Sequence, residues 1–469
     1  MTRQELTELQ GGINYCFTLY YGEKIYGFPF CDYPTNNDYI ITPRIMKKFQ
    51  DNRSKGSFAD VGILVKPESI TKYEKVEANT VLNVNRNTAF PINKSIKATK
   101  LVILGAGASH GYSDDIIAQE QMPPLSLGLF GQQYNHLIGL YPGVRNLSNE
   151  LRYAIDIEDF FEKKWKLITE SYNPELLRNL INIQFYLHDL FRNVIYNGHI
   201  GMERSHYSSL SNFANEYVRI KNEQVIFVSF NYDTLLEDAL KANGHTERFN
   251  TIDDYVDPNK NKLLLFKPHG SCNWRKEIGL YSFENKHIKS NGIISSLYEL
   301  NNNPFEKIHE FAKFLYEERI MLDSINELIE DKSIVPKRSL DYNTPETYHN
   351  YIYYPQLLIP YKKKDDFIMP SNHQALLKHY LENITDILII GWKGTEDKFN
   401  ELLKSYLAHK EVNITLINKE GDYYNIVDNF NSLLPNIKWV SDTPKFFSNN
   451  PFSEYIKYCI NHDDHFFSI

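Results

Sequence analysis

Cysteine is scarce: Cys16, Cys31, Cys272 and Cys459 are the only four in a chain of 469 residues. They are scattered and form no C-x-x-C pair, which excludes a zinc ribbon and a dense disulfide framework. Long apolar runs are missing too. No stretch reaches the roughly 18 apolar residues of a membrane span. The opening MTRQELTELQGG has no apolar signal core, so a cytoplasmic protein with no membrane partner is expected. Positive charge is not in excess. A formal charge of −8 gives no general electrostatic reason to bind nucleic acid, and the small cluster Lys362–Lys364 reads as a solvated loop. Internal repeats and long low-complexity tracts are absent as well. What remains, 42% hydrophobic and 23% charged, is the composition of a globular protein. Its length calls for two or three domains, or for one domain with large insertions.

The stretch around which the rest is arranged is Leu101–Ser109, LVILGAGAS. Four apolar residues read as a buried strand that runs straight into Gly-Ala-Gly-Ala-Ser. Gly105 and Gly107 remove Cβ atoms where a strand turns sharply into a helix, which lets backbone N–H groups approach a pyrophosphate. A Gly-rich turn alone is a weak signal.

Before it, residues 1–96 carry no recognisable chemistry. Aromatic clusters such as YCFTLYYGEKIYGFPF, broken by Gly and Pro, predict short strands with turns. This is a β-rich extension, a candidate oligomerisation or partner surface, joined onward by Asn93–Lys100. After the Gly-rich turn, HGYSDDIIAQEQMPPLSLGLF reads as a helix start and then a loop, because Pro123-Pro124 prevents a continuous helix. Residues 132–220 are mainly helical by periodicity and read as a module inserted into an α/β domain. A second insertion spans residues 275–350, with an amphipathic helix or helix pair in FEKIHEFAKFLYEERIMLDSINELIE. Residues 446–469 form a C-terminal tail.

Further strands are expected at Val225–Ser229, Leu263–Phe266, Gln356–Pro360, Ile387–Ile390 and Asn413–Ile417, alternating with helices such as Thr234–Leu240. Continuous apolar strands of this kind predict a Rossmann-like parallel sheet covered on both faces. Ligands of such sheets bind at the carboxyl ends of the strands. Here those ends carry GAGAS, FNYD, KPHGS, GWKGTED and Asn418. Each member has two readings. Asn231 and Asp233 can cap the next helix, or Asn231 can contact a ribose or an ordered water with Asp233 supporting it. His269 can be structural, or a base or hydrogen-bond partner beside the open Gly270. Thr395 can cap a helix that has Glu396 and Asp397 in its first turn. Gly391 lets a ligand approach the backbone. Asn418 can bond a ribose or make an Asx-turn. Cys272 reads as a small structural hydrophobe.

The order GAGAS, SFNYD, HGS, LLIP, IIGWKGTED, IN resembles the sirtuin fold, and looks most like the divergent bacterial SIR2-like branch whose NAD hydrolases act in anti-phage defence. The resemblance implies a catalytic domain over residues 97–445, with NAD as the substrate and no metal. It implies that Gly105, Ala106, Gly107 and Ser109 form the phosphate and NAD loop. Asn231 and Asp233 would hold the nicotinamide ribose side, His269 would be the catalytic histidine, Gly391 and Thr395 would lie along the cofactor, and Asn418 at the adenosine ribose. Departures matter. The four-cysteine zinc module of protein-deacylating sirtuins has no counterpart between His269 and Gln356, where the insertion Tyr281–Lys337 stands. The GIPDFR-like stretch is replaced by GYSDD, and Trp392-Lys393 replaces smaller polar residues. These differences favour cleavage of NAD by water, to nicotinamide and ADP-ribose. The alternatives are a protein deacylase or ADP-ribosyltransferase, and a non-catalytic NAD or ADP-ribose sensor. The resemblance further implies abortive infection through NAD depletion by an enzyme that is normally inactive, with a homo-oligomer or a second defence protein that triggers it.

Overall fold

A computed structural model describes residues 97–115, 122–170, 174–198, 204–243, 252–279, 351–359, 367–440 and 446–468, with Leu9, Phe249 and six short strands elsewhere. Of the amphipathic stretch within residues 275–350 and of the Tyr281–Lys337 insertion only Ile320–Leu322 is described, and it is a strand paired with residues 274–276 where a helix is expected; the Lys362–Lys364 cluster lies outside the described residues. Five of the short strands, β1 (Tyr15–Leu19), β2 (Lys24–Asp32), β3 (Asn37–Ile41), β4 (Gly62–Val65) and β5 (Ile70–Lys75), pair antiparallel in the order β4-β3-β2-β1-β5.

The main domain begins with β6 (Ala98–Leu104) and the short helix α1 (Ala106–His110). Four longer helices follow: α2 (Pro142–Tyr153), α3 (Ile157–Glu170), α4 (Pro174–Gly198) and α5 (His206–Lys221). Next come β7 (Gln224–Ser229), α6 (Leu235–Ala242) and β8 (Leu263–Phe266). After β9 (Gly270–Gly279), β10 (Ile320–Leu322) and β11 (Tyr351–Leu357), the chain forms α7 (Ser371–Leu381), β12 (Asp386–Ile390) and α8 (Asp397–Leu407). It ends with β13 (Val412–Ile417), α9 (Glu420–Leu433), β14 (Ile437–Trp439) and α10 (Pro451–Asn461).

Six strands form one parallel sheet in the order β14-β13-β12-β6-β7-β8. Its central strands are buried along almost their whole length, and helices supply the apolar cover, which is the environment that selects unbroken Val, Ile and Leu runs. From β6 the chain moves one way, to β7 and β8, and only later returns on the other side to β12 and β13. The direction therefore reverses between β6 and β12, the switch point beside which sheets of this kind place their ligands, at the carboxyl ends of the strands.

Two expectations need correction. Gln356–Pro360 is not a member of the parallel sheet. Tyr351–Leu357 instead pairs antiparallel with β9 in a separate three-stranded sheet, β10-β9-β11. Pro355 fits there because β11 is an edge strand, where one side needs no N–H donor. The sixth parallel strand is Ile437–Trp439, a three-residue edge strand whose partial exposure breaks the apolar run that marks the others. Nor does the helical module extend to residue 220. Residues 129–191 pack around a second core that includes Phe130, Phe161 and Tyr186, whereas α5 buries Tyr207, Leu210 and Ala214 in the core of the sheet.

The α5 helix owes its position to both ends. The Ser205 hydroxyl accepts from the Ser208 N–H at its start, and Asn222 closes it in the left-handed conformation at φ 54°. The segment 446–469 contains α10, with Pro451 in its first turn and the Asn450 side-chain Oδ1 accepting from the Ser453 N–H at the cap. Its Phe452, Tyr455 and Ile456 are buried in the sheet's core. Among the described residues no helix is long and apolar enough to cross a membrane.

Candidate active site

A cavity of about 330 Å³ opens at the carboxyl ends of the strands, where the sheet reverses direction. Gly105, Ala106, Gly107 and Ser109 line it from the loop after β6, and Asn231 and Asp233 from the loop after β7. His269 follows β8, Gly391 and Thr395 follow β12, and Asn418 follows β13. All ten residues singled out in the sequence thus meet at one cavity, although up to 313 positions separate them, from Gly105 to Asn418.

The glycines have a packing reason beyond ligand access. A Cβ on Gly105 would stand 2.5 Å from the Gly391 carbonyl oxygen and from the Trp392 Cα. Gly391, at φ +61°, would place its own Cβ 2.3 Å from the Ala108 nitrogen. The Gly105 N–H donates to the Ile390 carbonyl at 3.0 Å, and the Gly107 N–H to the Gly391 carbonyl at 3.0 Å. The two loops therefore interlock backbone to backbone, and both N–H groups are engaged within the protein.

Asn231 is buried and holds this turn from the other side. Its amide nitrogen donates to the Gly105 carbonyl at 3.0 Å, to Ser109 Oγ at 2.8 Å and to the Tyr207 hydroxyl at 3.3 Å. Tyr207 and Ser109 share a 2.9 Å hydrogen bond. Asp233, just ahead of the Thr234 cap of α6, accepts from the Leu235 N–H at 3.1 Å and lines the cavity. Burial holds the Asp233 carboxyl above its ordinary 3.8; Lys267, Ser109 and the Leu235 N–H pull it down, and Glu237 pushes it up.

Beneath Asp233 lies Lys267, wholly buried. Its ammonium donates to the Asp233 carbonyl oxygen at 2.5 Å, to Glu237 Oε1 at 2.8 Å and to Ser271 Oγ at 2.8 Å. The pair Lys267–Glu237 is an ion pair with no exposed side, and the bonds to Asp233 and Ser271 use the remaining N–H donors. His269, two residues on, is 4% exposed and sits edge-on to the Phe230 ring, 4.9 Å between centroids. Gly270 follows at φ +75°, where a Cβ would meet the Gln356 carbonyl oxygen at 2.0 Å, so this turn admits no side chain.

Opposite, Trp392 stacks on Phe230 with centroids 5.2 Å apart and planes within 5°. Phe399 and Phe430 meet the indole edge-on, and its Nε1 donates to Glu396 Oε2 at 2.5 Å. Thr395 does not start the following helix. That helix begins at Asp397 with Glu396 at the cap position, because the turn at Gly394, φ +71°, is held by Asn400 and Asn429, both donating to its carbonyl oxygen. Asn418 donates to the Trp392 carbonyl at 2.9 Å and accepts from the Lys419 N–H, so it joins the loops after β12 and β13. Cys272 is wholly buried in the second core and burial pushes its thiol far up, as befits a structural hydrophobe.

Sequence reasoning missed Asn450 and Phe452 at the start of α10, which line the cavity, and Tyr207, Lys267 and Glu237, which brace it. Only Lys267 left a readable trace, a lone charge closing a strand of four apolar residues. Among the described residues no group of three or more His, Cys, Asp or Glu side chains is arranged to hold a metal ion.

Residues 225–322, from β7 through β10, match the SIR2-like domain family. No curated protein matches the chain. Among solved structures it is similar to a Sir2 variant with a deacetylated p53 peptide and 3′-O-acetyl ADP-ribose, at 9% identity and a TM-score of 0.30, over 77% of this chain and 92% of that one. It is also similar to a structure on sirtuin substrate affinity, at 10% identity and a TM-score of 0.29, over 77% of this chain and 93% of that one.

Proposed function

We propose that the chain hydrolyses the nicotinamide–ribose bond of NAD, giving nicotinamide and ADP-ribose. The observation that carries this reading is the cavity at the strand ends. There a Gly-rich turn, a buried Asn–Asp pair and a histidine converge within a chain whose residues 225–322 match a SIR2-like domain. NAD would lie along the crevice, with its pyrophosphate near the loop after β6 and its adenosine ribose near Asn418. The nicotinamide would face Asn231, Asp233 and His269.

In this reading the C–N bond breaks with its electron pair leaving to the nicotinamide ring nitrogen, which neutralises the pyridinium. Positive charge builds on the ribose, and the Asp233 carboxylate stabilises it. The amide nitrogen of Asn231 is already committed to Gly105 and Ser109, so its carbonyl oxygen is the end that accepts from a ribose hydroxyl or the attacking water. Water adds to the anomeric carbon, and His269 takes its proton directly or through the ribose. The chain's own groups position the bond and exclude bulk solvent.

The same reading makes the protein an anti-phage effector that depletes NAD when triggered, held inactive until an oligomer forms or a partner binds. The test is NAD loss with products resolved by chromatography, for wild type, Asn231→Ala and His269→Ala, without added peptide. Nicotinamide and ADP-ribose from wild type alone would support the reading. Turnover only with an acylated peptide would replace it with deacylation, tight NAD binding without turnover would point to a sensor or to a missing activator, and absence of binding would sink the site assignment.

A further inference from the structure

Lys267 is not among the residues that reach the cavity, yet it touches three pieces of chain that do or that carry those that do. Its ammonium binds the Asp233 backbone from the loop after β7, the Glu237 side chain from α6 and the Ser271 hydroxyl from the start of β9. The joint has further pins. The Cys272 N–H donates to the Tyr232 carbonyl at 2.8 Å, and the Leu358 N–H donates to the His269 carbonyl at 2.9 Å. Glu237 continues inward to the Tyr255 hydroxyl at 3.3 Å, which accepts from Asn273 at 3.1 Å. A lysine that served only solubility would not be 0% exposed, and one that served only packing would not spend its donors on three separate elements.

We propose that Lys267, with Glu237, is a positioning residue of the site: the buried pair locks the Asn231–Asp233 loop against the His269 loop. The proposal rests on the reading of this cavity as the NAD site, but the lock itself is a statement about the folded chain. Lys267 and Glu237 also act in opposite senses on the Asp233 carboxyl, the one pulling it down and the other pushing it up. The other groups that face Asp233 are Ser109 from α1, Tyr112 after it, Tyr207 from α5 and Cys272 from β9.

The test uses the full chain as wild type, Glu237→Gln, Lys267→Met and the double variant Lys267→Met with Glu237→Met. Removing both charges together leaves no buried ion unpaired, so the double variant is the one expected to fold even if Lys267→Met alone does not. Amide hydrogen exchange needs no substrate. In the folded double variant the Cys272 and Leu358 amides should exchange faster than in wild type, while those of β6 and β12 keep their protection. Unchanged exchange at both amides would overturn the lock, whether or not NAD is the substrate. If wild type does not turn over NAD, exchange alone decides the lock.

Where wild type is active, the double variant should lose about 100-fold in kcat from misplaced groups, with little change in KM. The acid limb of the pH profile should move up in Lys267→Met and down in Glu237→Gln. Wild-type kcat in the double variant, or displacement of the limb in the same direction in both single variants, would overturn the proposal.

Discussion

The two walls of the cavity hang from one parallel sheet but are held by different forces. On the β6–β8 side, Asn231, Ser109, Tyr207, Asp233 and Lys267 are buried polar groups, each tied to its neighbours by hydrogen bonds. On the β12–β13 side, Trp392, Phe399 and Phe430 pack ring against ring, and Gly391 lets two backbones touch. A buried polar group is cheap only when its partners are fixed, so the groups able to exchange protons gather where a hydrogen-bonded frame exists. Rings need no such frame and define shape instead. Phe230 belongs to both walls, stacked on Trp392 and edge-on to His269.

The widest separation of the walls should come from one residue of each. Trp392→Ala removes a side chain that is 2% exposed and should cost about 3–5 kcal/mol in denaturant unfolding, a larger effect on stability than on turnover. His269→Ala should lose about 10²–10⁴-fold in turnover, with a smaller loss of stability than Trp392→Ala. Loss of turnover in Trp392→Ala without loss of stability would break the comparison. The glycine contacts give a smaller step. Gly391→Ala meets both a positive φ and the Ala108 nitrogen, and should cost about 3 kcal/mol. Gly394→Ala has a similar φ but its nearest neighbour is at 3.4 Å, so thermal unfolding should register only about 1 kcal/mol.

Asp233 sharpens the polar wall through pH. Burial raises its carboxyl, so the folded chain binds that proton more tightly than the unfolded chain does. The stability it contributes is then fully present below the ordinary 3.8 and is lost as pH rises from there through the folded value. Asp233→Asn should flatten that decline in a series of unfolding curves across the acid range. The smallest effect belongs to Asn418→Ala. It loses the bond to the Trp392 carbonyl and should cost about 1 kcal/mol in the same measurement.

Much of this was open to inspection in the sequence. Five of the six parallel strands stand within a few residues of where their apolar runs put them, because a strand buried on both faces leaves no polar positions to interrupt the run. The exposed edge strand Ile437–Trp439 lacks that signature. Gln356–Leu357 has part of it but pairs elsewhere, since an apolar run states burial and not partner. The cavity's members were legible for a related reason: parallel strands send all their carboxyl ends to one edge, so loop residues distant in the chain must meet there.

What the chain determined by itself is local and periodic: which segments are strands, which turns require glycine, and which polar residues close the strands. Which groups hold which was decided only in three dimensions. Tyr207 reaches Ser109 across 98 positions and Lys267 reaches Glu237 across 30, and no spacing rule links them. Hydrogen-bond partners of buried groups are chosen by tertiary proximity, because a desolvated donor must bond whatever acceptor the folded core brings to it.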